Sequence, residues 1–140
     1  MNVKEYKHIT KIQIRYKDVD KQGHVNNANH STYFETARMQ YFRDVFKIQI
    51  DWDRTGLILA HSEITYQEPI LLEDEINCYT RISNLGNKSF EISNVLTKIK
   101  SGAEIDCAHG KSILVCFDYL TKQTIDIPEN WRNLISEFEK

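Results

Sequence analysis

Proline and glycine are scarce, two and five in 140 residues, so the chain has little material for long irregular tracts or low-complexity linkers. Its three cysteines, Cys78, Cys107 and Cys116, are odd in number and widely spaced, with no C-x-x-C pair and no histidine at zinc-like spacing. That excludes a disulfide framework and leaves reduced packing residues. No run approaches the 18 apolar residues of a membrane span, and the first eight residues have no apolar core of the kind a signal sequence needs. A cytoplasmic location is expected. With a formal net charge of -2 the chain lacks the field that would gather nucleic acid. It also lacks G-x-S-x-G, a cysteine near its polar motif and H-E-x-x-H, which argues against serine or cysteine nucleophiles and against a metal.

What remains is an ordinary globular composition, 41% hydrophobic and 27% charged, in a 16.5 kDa chain of single-domain size (1–140). Its most unusual stretch is Asp18-Val19-Asp20-Lys21-Gln22-Gly23-His24-Val25-Asn26-Asn27. Two carboxylates, an imidazole and two carboxamides within ten residues cannot all be buried cheaply, because an unpartnered buried polar group costs about 1–3 kcal/mol. Such a stretch is a surface turn or an active-site loop. Asn, Asp and Gly suit a turn, but a turn has no need of His24 or a second carboxylate.

Around this loop the hydrophobic period organises the chain. Ile12, Ile14 and Tyr16 alternate with polar residues, predicting a first strand that runs into the loop. Tyr33, Phe34, Ala37, Tyr41, Phe42 and Val45 recur at three- and four-residue steps, predicting an amphipathic helix from about Asn29 to Lys47. Glu35, Arg38, Arg43 and Asp44 point away from its apolar stripe, and Asn29 is its N-cap. A connection ending at Gly56 is followed by period-two segments: one closed by Glu68-Pro69, one over 76–82, one over 90–99 with a bulge near Asn94, and one over 104–120. Because residues 113–117 of the last are apolar on both faces, it is expected at an edge that pairs with another copy. Pro128 opens a short helix carrying Trp131, Leu134, Ile135 and Phe138.

Asp-x-Asp-x-x-Gly-His-Val-Asn-Asn, followed by Tyr33, Phe34 and Glu35, resembles the signature of hotdog-fold thioesterases of the 4-hydroxybenzoyl-CoA type. His-Val-Asn-Asn is also similar to the loop of acyl-ACP thioesterases. The resemblance implies an α+β hotdog fold, a five-stranded antiparallel sheet wrapped around one long helix with a short C-terminal helix. It implies hydrolysis of acyl-CoA or acyl-ACP without a cofactor, and a homodimer or homotetramer with its pocket between subunits.

By the same matching, Asp20 is the catalytic carboxylate, as base or nucleophile, and the backbone N–H of Asn27 polarises the thioester carbonyl. Gly23 permits the tight turn between them, and His24 orients Asp20 or shuttles a proton. Tyr33 lines the substrate pocket, and Lys88 and Ser89 hold the phosphates of coenzyme A. Gln22 departs from the asparagine that the acyl-ACP branch carries. Asp18 reads as a loop brace, and Glu35 as an alternative acid matched to another hotdog branch. A protein that binds acyl thioesters without hydrolysing them is the competing reading, disfavoured by a carboxylate beside a neutral thioester.

Overall fold

The computed structural model describes residues 3–47 and 51–140. Five long strands form one antiparallel sheet in the spatial order β1 (His8–Ile12), β3 (Ile76–Leu85), β4 (Ser89–Lys100), β5 (Ala103–Asp118) and β2 (Thr55–Tyr66). A two-residue β6 (Gln123–Thr124) adds to β5. The curled sheet packs against α1 (Ala28–Phe46), and α2 (Glu129–Glu139) lies against its C-terminal end. This is the hotdog arrangement. None of the described helices is long and apolar enough to cross a membrane.

The helical period of α1 buries Tyr33, Phe34, Ala37, Tyr41, Phe42, Val45 and Phe46 together. Its N-terminal half packs on Ile70, Ile76, Leu96 and Ala108, and its C-terminal half on Phe90, Ile92, Leu114 and Ile135. Between the two apolar clusters each element contributes a buried polar residue, Arg38 from α1, Thr80 from β3, Asn94 from β4 and Ser112 from β5. Asn94 Nδ2 donates to Thr80 Oγ1 at 2.9 Å, and Arg38 Nη1 to Ser112 Oγ at 3.5 Å. The three cysteines are free and buried.

Several expectations are corrected. The first strand lies earlier than the 12–16 alternation implied, because after Ile12 the chain leaves the sheet for a 3-10 turn over Tyr16–Asp18, leaving Tyr16 86% exposed. Arg38 points into the protein rather than away from it. Gly56 belongs to β2 instead of ending a connection, since the Tyr119 ring occupies the place of its side chain: an added Cβ would lie 2.3 Å from Tyr119 Cε2. The connection expected over 49–56 falls partly outside the described residues.

There is no bulge at Asn94. Phe90, Ile92 and Leu96 keep one phase towards the two main clusters, while Val95 packs with Tyr6 and Tyr79 in a third. Apolar residues on both faces of a strand mimic a change of phase in the sequence. The register shifts in the two pairings of β4, at Ile82/Asn84 and at Leu96/Thr97 close to Asn94, put the extra residue on the neighbouring strands β3 and β5 and not on β4. Finally, 113–117 is not an edge, because β5 runs between β4 and β2; the edge strands of the sheet are β1 and β2.

Candidate active site

Asp18 ties the loop to the fold. Its carboxylate is 1% exposed and accepts the Arg15 N–H at 3.0 Å, the Arg15 guanidinium at 3.2 Å and the Tyr33 hydroxyl at 2.7 Å. Its carbonyl accepts the Asn26 N–H at 2.8 Å and the Asn29 side chain at 3.0 Å. Burial opposes the charge of Asp18, but the donors outweigh it and hold the carboxyl below the usual carboxylate range. Asp18 is thus the brace expected, and Tyr33, expected in the pocket, is its partner in the core. Asn29, expected as N-cap, serves the same anchor.

A lowered folded-state pKa contributes stability that is present above the unfolded carboxylate value and lost as pH falls through the folded one. Asp18→Asn is therefore expected to lower stability at neutral pH by about 1–3 kcal/mol and to flatten the acid limb of the melting-temperature profile below about pH 4. Melts of both proteins from pH 2 to 7 check this. Parallel curves would remove Asp18 from the role given to it.

From Asp18 the chain makes a tight hairpin. Val19 bridges Val25, the Asp20 N–H donates to the His24 carbonyl at 2.9 Å, and the Gly23 N–H returns to the Asp20 carbonyl at 3.0 Å. Gly23 has φ +83°, a left-handed conformation that side chains disfavour, so its place at the turn is steric. Half-buried Asp20 accepts the Gln22 N–H at Oδ1 (2.9 Å); among the described residues nothing bonds Oδ2. A second seam joins the hairpin to the segment after β2, with His24 bridging Leu71 and the Val25 N–H donating to the Ile70 carbonyl at 2.7 Å.

The hairpin delivers the chain to the start of α1. Asn26 Oδ1 accepts the Ala28 N–H at 2.9 Å and so supplies the cap, while Asn27 already has helical angles. Among the described residues no acceptor takes the Asn27 N–H, and the first turn of α1 holds no acidic residue. The positive end of the helix dipole is left for a charge brought from outside. A cavity of about 240 Å³ opens there, with His24, Asn27, His30, Tyr66, Glu68 and Ile70 in its wall.

His30, Tyr66 and Glu68 were not singled out from the sequence. His30 lies three residues after Asn27, hence on the same helix face, and that spacing was the available signal. It is 3% exposed, its ring edge-on to Tyr66 at 4.9 Å; burial pushes its pKa down, against the carbonyls of Asn26 and Asn27.

The structure thus brings His24 and Asn27 into one cavity wall and sets Asp20 across the hairpin from His24, just outside that wall. It does not bring Lys88 and Ser89 to the site. Lys88 ends the β3–β4 turn and Ser89 opens β4, beside α2, where Arg132 donates to the Gly86 carbonyl at 2.7 Å, at the opposite end of the 19-residue α1, about 28 Å away along its axis. Glu35 is exposed on α1, two turns beyond Asn27. Among the described residues no group of three His, Cys, Asp or Glu side chains gathers to hold a metal.

The model of the thioesterase-like superfamily matches residues 14–135, from the exit of β1 into α2. The chain belongs to that superfamily. Its activity is accordingly thioester hydrolysis in general. A thioesterase from Thermus thermophilus, solved with coenzyme A and zinc, is 30% identical and superposes with a TM-score of 0.82, covering 96% of each chain. The long-chain acyl-CoA thioesterase FadM of Escherichia coli is 24% identical over 132 residues, 94% of this chain and 98% of that one. Bacillus subtilis YsmA, whose name gives no function, is 26% identical over 82 residues, 59% of this chain and 55% of YsmA.

Proposed function

We propose that this thioesterase-superfamily chain hydrolyses acyl-CoA or acyl-ACP, with Asp20 as general base or nucleophile and the Asn27 N–H polarising the thioester carbonyl. The observation that carries this reading is the unbonded Asn27 N–H at the uncompensated N-terminus of α1, in the wall of a cavity. A thioester carbonyl gains negative charge as it is attacked, and a helix N-terminus is where such charge is stabilised. The thiolate leaves with little help, so one carboxylate and one N–H donor suffice for the step. Asp20 has one oxygen fixed by the Gln22 N–H and the other free for water or carbonyl carbon. His24, opposite Asp20 across the hairpin, orients it or relays a proton.

The bare edge of β2 supports a homo-oligomer. Twelve residues long, with Ile58 39% and Leu59 47% exposed, it presents unpaired backbone groups and apolar side chains together. Light scattering at micromolar concentration is expected to give at least twice 16.5 kDa; a stable monomer would refute the assembly. A second copy would also bring its own groups towards the site, which suits the place of Lys88 and Ser89 far from the cavity of their own chain.

The test of the activity is a panel of short, long and aromatic acyl-CoAs and acyl-ACPs, with thiol release followed by a trapping dye. Turnover of at least one member is expected. That Asp20 lies outside the cavity wall of its own chain favours, as the second reading, binding without hydrolysis. Tight binding with no turnover across the panel would establish it.

A further inference from the structure

Arg38 is a buried cation that forms no ion pair among the described residues; the charge of Glu35, one turn earlier on the same helix, acts on it only from a distance. Arg38 is 6% exposed, and among the described residues its guanidinium has only the Ser112 hydroxyl, at 3.5 Å, and no carboxylate within ion-pair distance. Taking a charge out of water costs several kcal/mol unless a partner compensates it. The guanidinium borders a second cavity, of about 200 Å³, between α1 and β2, whose wall also holds Glu35, Leu59 and Ser62. Glu35 is exposed on the same side of α1, one turn before Arg38.

The free edge of β2 limits how a second copy can approach. An antiparallel pairing of β2 with its own copy requires a two-fold axis normal to the sheet, since an axis along the strand would make the pair parallel. A normal axis leaves both α1 helices on one face of the joined sheet, antiparallel and facing each other across the seam. Pairing over the whole of Thr55–Tyr66 puts the axis at its midpoint, Ala60 and His61, where the β2–β5 register shifts. Leu59 and Ser62 flank that point. The axis therefore passes at the level of the cavity that Glu35 and Arg38 share.

Two residues three apart on a helix, about 4.5 Å along its axis, can pair reciprocally across a two-fold: each acid meets the base of the other copy. We propose that Glu35 of each copy enters this cavity of the other and neutralises Arg38, so that two ion pairs related by the axis close the seam between the helices. The proposal rests on the assembly reading above and deepens it by naming the groups that hold the copies in register. The occupant is a second copy because one surface supplies both the buried cation and the exposed acid, as a self-complementary interface requires.

Sedimentation at a series of dilutions tests the pair, with circular dichroism to confirm folding. Glu35→Gln, which leaves Arg38 buried without its partner, is expected to raise the dissociation constant of the dimer by about a hundredfold or more, and Glu35→Arg by more still. The double variant Glu35→Arg, Arg38→Glu exchanges both signs and is expected to recover most of the loss. Because a glutamate at the buried position can itself impair folding, the comparison of Glu35→Gln with Glu35→Arg stands without it. A wild-type chain that stays monomeric refutes the assembly, and the pair with it. A dimer whose dissociation constant is unchanged in both Glu35 variants refutes the pair alone and leaves the assembly standing.

Discussion

Asp20→Asn is expected to lower turnover of the best acyl thioester by about 10²–10⁴-fold, the usual worth of a general base, while melting temperature and binding of a non-hydrolysable analogue stay near wild type. The geometry makes this substitution unusually clean. Asparagine keeps an oxygen to accept the Gln22 N–H, and the other bonds that shape the hairpin involve only the backbone of Asp20. What is lost is a basic, nucleophilic oxygen; if the wild-type route is covalent, the loss exceeds the range given. His24→Ala is expected to fall between Asp20→Asn and wild type if it orients the carboxylate. Asp18→Asn is no control, because Asp18 is a structural anchor. Asp53→Asn, at an exposed turn before β2, removes the same charge and is expected to leave turnover unchanged. Wild-type turnover in Asp20→Asn would transfer the catalytic role to another acid, with Glu35 the first to test.

The largest loss of stability is expected from Trp131→Ala. The indole is 5% exposed and stacks on Phe46 at the end of α1, ring centroids 4.9 Å apart with planes 21° from parallel. Through this stack α2, with Ile135, joins the C-terminal half of the core. Truncating a buried aromatic to alanine costs about 3–5 kcal/mol, a large share of the roughly 5–15 kcal/mol that holds a domain folded. Denaturant unfolding should show that loss in the midpoint with an unchanged slope. A change below about 1 kcal/mol would mean that α2 is dispensable to the core.

The parts of the fold legible in the sequence were those where one periodicity governs one buried face. α1 is 19 residues long with a single apolar stripe, and its expected span differs from the observed Ala28–Phe46 by a residue at each end. Polar Arg38 was placed on the outside because its type says so; only three strands meeting beneath it make a buried position, and that is tertiary information. Strands buried on both faces misled for a related reason. β4 packs towards α1 with one set of residues and towards Tyr6 and Tyr79 with the other, which in sequence looks like a slipped phase. The edge was misassigned because exposure of β2 depends on its place in the sheet and not on its own composition.

Of the residues expected at the site, His24 and Asn27 share the cavity wall, and they could be read together with Asp20 and Gly23 because all four lie in one loop. His30, Tyr66 and Glu68 could not, because the cavity exists only once the segment after β2 is stitched to that loop by Val25 and Leu71. Matching to the family motif places Tyr33 at the pocket. Its hydroxyl is held by the buried carboxylate of Asp18, a pairing that no spacing in the sequence reveals.

The row formed by Arg38, Thr80, Asn94 and Ser112 divides the apolar interior into two bodies that share a helix and a sheet but few side chains. Cooperative units of opening follow contiguous apolar packing, and here that packing is interrupted midway along α1. The two ends of α1 can therefore open separately in native-state hydrogen exchange, one together with α2 and β6, the other together with the Asp18 anchor. The loop from Asp18 to Asn27 can then keep its shape while the far end of the same helix breathes.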